Sequence, residues 1–337
     1  MSATTLAGGK YARELKQVEG IVKKSMEGAS GRLKAMLDYL AQGSGKMLRP
    51  RLLILAAGLF KDKFSARERA ELVHAAAAVE LIHTASLVHD DIIDGAARRR
   101  GQVALHRRWG EGNAVQAGDY LLAAAFKLLS VKVRVPGLLP LLAETVRAMC
   151  RGELEQMKHA FDWQMTEKEY FRLNYLKTGQ LLAACCEAGG RVMNASPEEL
   201  AALRRYGAHL GQEFQLMDDL LDYAASSAAL GKPAGSDLSQ GVVTLPLIRL
   251  LQQEASYRFL LNKAGKVKPL PRKLTRILRE AIAESGALDY CYRRAVRFRA
   301  AALEALLPFK KGEARRLLAE AAFAVTRQAV LLTGHRL

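Results

Sequence analysis

The sequence predicts an all-α fold. Apolar residues recur three and four apart through most of the chain, which is the spacing of one helix face. Alternation of β-branched and polar residues, the mark of a strand, is nearly absent. Half of the 337 residues are hydrophobic, enough for a large core, and no long low-complexity linker divides the chain. The expectation is one helical domain over residues 1–337.

The elements follow from where the breakers fall. Helices are expected over 10–26 and 29–42, before the Gly43–Gly45 break, and then over 49–60 and 66–94, with Gly95 ending the fourth. Further helices are expected over 113–133, over 137–163 after Pro136–Gly137, over 167–191, and over 197–228 after Ser196–Pro197. Residues 224–241, rich in Gly, Ala and Ser, are the strongest loop signal. Helices over 243–253, 271–285, 287–306 and 311–333 complete the chain.

Composition narrows the functional class. Lys plus Arg number 51 against 34 Asp plus Glu, a net charge of +17, which points to anionic partners. The basic residues are spread along the chain without a nucleic-acid-binding motif, so no nucleic-acid partner is expected. The excess charge also allows peripheral contact with an anionic membrane. The cysteines, Cys150, Cys185, Cys186 and Cys291, have no CxxC spacing and read as reduced thiols of a cytoplasmic protein. The N-terminal segment has no apolar signal region. The longest unbroken apolar run, Leu52–Phe60, is far short of a membrane span.

Two aspartate clusters dominate the chemistry. Asp90, Asp91 and Asp94 close an apolar helical run, and Asp90 and Asp94 share a face one turn apart. Like charges at that spacing repel, and a hard cation such as Mg²⁺ would convert repulsion into ligation. Asp218, Asp219 and Asp222 repeat the spacing on another helix. Two such clusters facing one another would be costly without metal.

Basic residues sit where they could meet a diphosphate. Lys46 and Arg49 follow a glycine break at a helix start, where free N–H groups also favour an anion. Arg99 and Arg100 lie just beyond Asp94, and the planar guanidinium binds phosphate with two bonds. Lys177, in Lys177-Thr178-Gly179, interrupts an apolar stretch and needs an anion or a route to solvent. Lys232 lies in the Gly-rich loop after Asp222. His83, two turns before Asp90, reads on its own as a core histidine, and His74, His89 and His106 as structural. The segment Gly152–Gln156, GELEQ, reads as packing or support for the site.

The segments GKMLRP, ELIHTASLVHDDIIDGAARRRG, AGDYLL, KTG, FQLMDDLLD and GKPAGSDLSQGVVTLP occur in this order. In that order the chain resembles the trans-isoprenyl (polyprenyl) diphosphate synthases of the long-chain type, over residues 20–330. The resemblance implies an all-α bundle of the isoprenoid synthase type with a central cavity, usually dimeric. It implies head-to-tail condensation of isopentenyl diphosphate onto an allylic diphosphate. The six aspartates would hold two or three Mg²⁺ ions. Lys46, Arg49, His83 and Arg100 would bind isopentenyl diphosphate, and Arg99, Lys177, Thr178, Gln215 and Lys232 the allylic diphosphate. Many relatives carry a lysine after the glycine where this chain has Gly241-Val242, which removes one cation from that pattern.

In this family, bulky residues just before the first aspartate motif stop the product early. Here Ala85 and Ser86 stand at those positions and are small, so a product of thirty to fifty carbons for quinone side chains is expected. The alternatives are a geranylgeranyl or farnesyl diphosphate synthase, and a non-catalytic subunit of a heteromeric synthase. All six aspartates argue against the latter.

Overall fold

The computed structural model describes residues 10–333 apart from 44, 46, 225–234 and 266, with side chains to residue 326. It is a bundle of α-helices with one two-stranded ribbon. In order come α1 (Ala12–Met26), α2 (Gly31–Gln42), α3 (Leu48–Gly58) and α4 (Ala66–Ile93). The ribbon follows, β1 (Arg98–Arg99) and β2 (Gln102–Val103), then α5 (Leu105–Trp109), α6 (Glu111–Lys132) and α7 (Leu138–Lys158). Next are α8 (Glu167–Asn174), a π-helical turn (Tyr175–Gly179), α9 (Gln180–Val192) and α10 (Pro197–Ala224). The chain ends in α11 (Ser236–Ser239), α12 (Leu245–Gln253), α13 (Ala255–Ala264), α14 (Arg272–Glu284), α15 (Ala287–Ala305) and α16 (Glu313–Thr333).

Local chemistry fixes the long helices. Ser65 and Glu68 form a reciprocal capping box at the start of α4, satisfying two N–H groups that the helix leaves open. Thr166 and Glu169 do the same for α8. Within α4, Ala75–Ala78 are fully buried, so neighbouring helices approach closely. The crossing of α9 and α10 is closer still. A Cβ at Gly211 would stand 2.6 Å from the Gly179 Cα, so only glycine fits where α10 meets the π-turn.

Two hydrophobic clusters share α10. The first takes residues from α1, α3, α4, α6, α9, the first half of α10 and α16. The second takes residues 163–173, the second half of α10 and α12–α15. Both α4 and α6 are long and apolar enough to cross a membrane by composition, but α4 is mostly buried inside the bundle.

The helix expected over 137–163 stops at Lys158, and 167–191 is broken by the π-turn. The ribbon, α5, α13 and α11, a single turn inside the segment 224–241 expected as loop, were not foreseen. The ribbon turns at Arg100-Gly101, with φ of 52° and 80°. Positive φ at both central residues is a requirement usually met by Asn-Gly, so arginine hid the turn. The helix containing Asp218 ends at Ala224, and 225–228 lie outside the described residues.

Candidate active site

The first aspartate cluster closes α4. Asp94 is exposed at the C-cap and Asp90 is half-buried. Burial pushes the Asp90 carboxyl up to about 7; Lys177 opposes this, while Glu153 and Asp94 add to it. Asp91 is buried and ion-paired with Arg99, Oδ1 lying 2.7 Å from Nε and 2.5 Å from Nη2. Burial alone would lower Arg99, but the hydrogen bond and charge of Asp91 outweigh it and hold it above its usual value.

The second cluster lies on α10. Asp218 is exposed, while Asp219 and Asp222 are buried. Tyr170 Oη donates to Asp219 Oδ2 at 2.5 Å, and Gln215 Nε2 donates to Asp219 Oδ1 at 2.8 Å. Burial, with Asp237 adding to it, pushes Asp219 up to about 7. Asp222 accepts from Ser236 Oγ at 3.0 Å and from the Asp237 N–H at 3.1 Å. The loop re-enters at Gly235, whose N–H bonds the Asp222 carbonyl.

The π-turn joins the two clusters. A helix that widens by one residue per turn redirects its side chains, and such turns recur at functional sites. Thr178 Oγ1 donates to Gln215 Oε1 at 2.8 Å, and Gln215 in turn holds Asp219. The neighbouring Lys177 pairs with Glu153 of α7 at 2.9 Å. Burial pulls Lys177 down, but Glu153 and Asp90 outweigh it and keep the ammonium above its usual value. The turn therefore places one residue against each triplet.

A cationic corner lies beside the first cluster. Burial drives the His83 imidazole well below its usual value, and Arg49, Arg100 and Arg99 push the same way. Arg49 is itself depressed by burial, and its Nε is buried without a hydrogen-bond partner. Arg100 Nη1 donates to the Gly43 carbonyl at 3.0 Å. A Cβ on Gly45 would come within 2.7 Å of Arg100 Nη2, so the glycine break makes room for the guanidinium. Glu80 lies close enough to interact with both Arg49 and Arg100, and burial raises its own pKa. An anion would satisfy this corner.

Among the described residues, no three His, Cys, Asp or Glu side chains converge into a ready-made metal cage. Mg²⁺ does not need one, because it takes one or two carboxylates and completes its shell with water and phosphate oxygen. Half-buried Asp90 beside Asp94 and Glu153 is carboxylate-rich oxygen chemistry that fits such an ion.

The family model described as polyprenyl synthetase matches residues 30–281. The chain belongs to the polyprenyl synthetase family. This polyprenyl synthetase is a prenyltransferase with the all-α isoprenoid synthase fold. It is 33% identical over 315 residues to heptaprenyl diphosphate synthase component 2 of Geobacillus stearothermophilus, covering 94% of this chain and 96% of the relative. It is 36% identical over 264 residues to geranylgeranyl diphosphate synthase of Methanosarcina mazei, covering 77% of this chain and 78% of the relative. The crystal structure of a Caulobacter crescentus polyprenyl synthase complexed with calcium and isoprenyl diphosphate superposes with a TM-score of 0.86 at 34% identity, over 94% of this chain and 96% of that one.

Of the residues expected to serve this polyprenyl synthetase, Asp90, Asp91, Asp94, Arg99 and Lys177 gather at the first cluster. Thr178, Gln215, Asp218, Asp219 and Asp222 gather at the second, and Arg49, His83 and Arg100 in the corner. Lys46 and Lys232 lie outside the described residues. Ala85 is fully buried, five residues before Asp90 on α4, and half-buried Ser86 donates to the His83 carbonyl. Sequence reasoning missed Tyr170 and Asp237. The polar run after Asp222 was a usable signal for Asp237, whereas Tyr170 sits in an ordinary amphipathic helix.

Proposed function

We propose that this polyprenyl synthetase elongates an allylic diphosphate with isopentenyl diphosphate to a long trans-polyprenyl diphosphate of thirty to fifty carbons. The observation that carries the reading is the Thr178–Gln215–Asp219 relay beside the Lys177–Glu153 pair, which ties the two aspartate clusters to one turn.

The six aspartates divide into two roles. Half-buried Asp90 and exposed Asp94 and Asp218 would hold the Mg²⁺ that neutralises the diphosphate. Asp91, Asp219 and Asp222 are held by protein donors and fix the positions of the others. Bound Mg²⁺ would supply charge neutralisation to the leaving diphosphate. Lys177, Thr178, Gln215, Arg99 and Lys232 bind the allylic diphosphate; Lys46, Arg49, His83 and Arg100 bind isopentenyl diphosphate. His83, held neutral, can donate a hydrogen bond to a phosphate oxygen. The allylic C–O bond breaks with its electrons leaving on diphosphate. The double bond of isopentenyl diphosphate then supplies the electrons of the new C–C bond. A proton is lost to the released diphosphate.

Product length is supported by the small Ala85 and Ser86 and by the heptaprenyl synthase relative; the geranylgeranyl relative keeps the shorter product as the second reading. The protein works as a homodimer in the cytoplasm. Support comes from exposed Leu139, Leu154 and Met157 on α7, and from α6, whose apolar window is only 33% buried. Buried, unpaired Cys185, Cys186 and Cys291 suit a reducing compartment. The component 2 relative names a two-part enzyme, so a heteromer is the second reading for assembly. Incubation with isopentenyl and farnesyl diphosphates, with and without Mg²⁺, followed by chromatography of the dephosphorylated lipids, tests the reaction and its length. Metal-dependent products of thirty carbons or more are expected. A twenty-carbon limit selects the shorter-chain reading, and no product refutes the activity.

A further inference from the structure

Between Glu254 and Glu280 the chain carries eight lysines and arginines and no acidic residue. This stretch comprises α13, its connection and most of α14. Lys263, Lys268, Arg272, Lys273 and Arg276 are exposed. Helix stability does not explain them all. Arg272 and Lys273 occupy the first turn of α14, where the helix dipole disfavours cations and where no acidic residue compensates.

The same segment exposes apolar side chains. Phe259 is 68% exposed, more than any other large hydrophobic among the described residues, with Leu260 at 40% and Val267 at 52%. On α13, Leu261 turns into the core while Phe259 and Lys263, four apart, share the outward face. An aromatic ring beside lysines, with no acid to repel phosphate, matches the chemistry of an anionic lipid surface. Nucleic acid would use the charge but leave Phe259 and Val267 without a role.

The segment also adjoins the second aspartate cluster. The Leu270 N–H bonds the Ser239 carbonyl, and Arg279 Nη2 donates to the Tyr223 carbonyl, next to Asp222. We infer that residues 256–265 and 267–273 form a docking surface for anionic membrane, seating the bundle with the Tyr223 end of α10 toward the bilayer. Binding at this surface requires no catalysis, so its test is independent of the reaction.

The test is flotation of the full-length protein with vesicles of phosphatidylcholine alone and mixed with phosphatidylglycerol. Binding to the anionic vesicles only is expected. Reversing two lysines in Lys263→Glu/Lys268→Glu should weaken it by roughly thirtyfold or more. Phe259→Ser, which leaves the charge unchanged, should weaken it by about tenfold. Lys310→Glu/Lys311→Glu changes net charge equally at the α15–α16 connection and should leave binding within about twofold of the parent. Prenyl transfer in detergent and helical circular dichroism should match the parent in all variants. Failure of the parent to bind, an unchanged Phe259→Ser, an equal loss in the Lys310/Lys311 pair, or vesicle binding fully displaced by duplex DNA would each overturn the inference.

Discussion

At the residue scale, the burial of each carboxylate separates its role. Asp90→Asn and Asp218→Asn remove charge from the carboxylates proposed to hold Mg²⁺, and should lower kcat by about two orders of magnitude or more with the melting temperature little changed. Asp91→Asn strands Arg99 and should lower the melting temperature as well; calorimetry beside kinetics distinguishes the two. Glu213 offers a second test, away from the aspartates. It is fully buried on α10, accepts from Thr326 Oγ1 at 2.7 Å, and burial pushes it up to about 7. The folded protein therefore holds this proton where the unfolded chain, ionising near 4.5, does not. Its stabilising effect is complete below about 4.5 and is lost as pH rises through about 7. Glu213→Gln should flatten that loss by about 3 kcal/mol, read from urea midpoints across pH in metal-free buffer. Among residues, the aspartates, Arg99, Arg100 and Lys177 were legible because charge in an apolar helical run demands an explanation. Gln215, one turn before Asp219 on α10, was also named, but Tyr170 was not, because it reaches Asp219 from another helix through a tertiary contact that leaves no periodic trace.

At the element scale, the π-turn and its glycine contact decide whether the two clusters stay in register. Gly211→Ala pushes a methyl into Gly179 and should cost about 1–3 kcal/mol. Because the strain falls on the turn that carries Thr178, KM for the allylic substrate should rise beyond what the stability loss explains. On α4, Ala85→Phe places a ring five residues before Asp90, and the chromatographic profile should shift to shorter products; an unchanged profile would remove Ala85 from length control. Most helices were legible from their breakers. The π-turn was not, because its residues continue the apolar spacing and differ only in hydrogen-bond register. The ribbon was not, because its turn uses arginine where asparagine is usual.

At the scale of the molecule, α10 threads both hydrophobic clusters and carries the second aspartate triplet. Neither cluster can dissolve without disturbing the helix that the other needs, so the chain should unfold in one calorimetric transition, as expected of a single domain. Two transitions would divide it. The outward faces of α6 and α7 give an assembly test. Leu154→Glu/Met157→Glu puts charge on side chains that are 61% and 54% exposed, and should shift the sedimentation equilibrium from dimer to monomer.

A π-turn is an α-helix with one residue too many. Excising a single position between Tyr175 and Gly179 would let the flanking stretches α8 and α9 join as one regular helix, each keeping its own packing. The scaffold and its reactivity would then part company: a shortened polypeptide of ordinary solidity, inert because one amino acid had been taken from the middle of a rod.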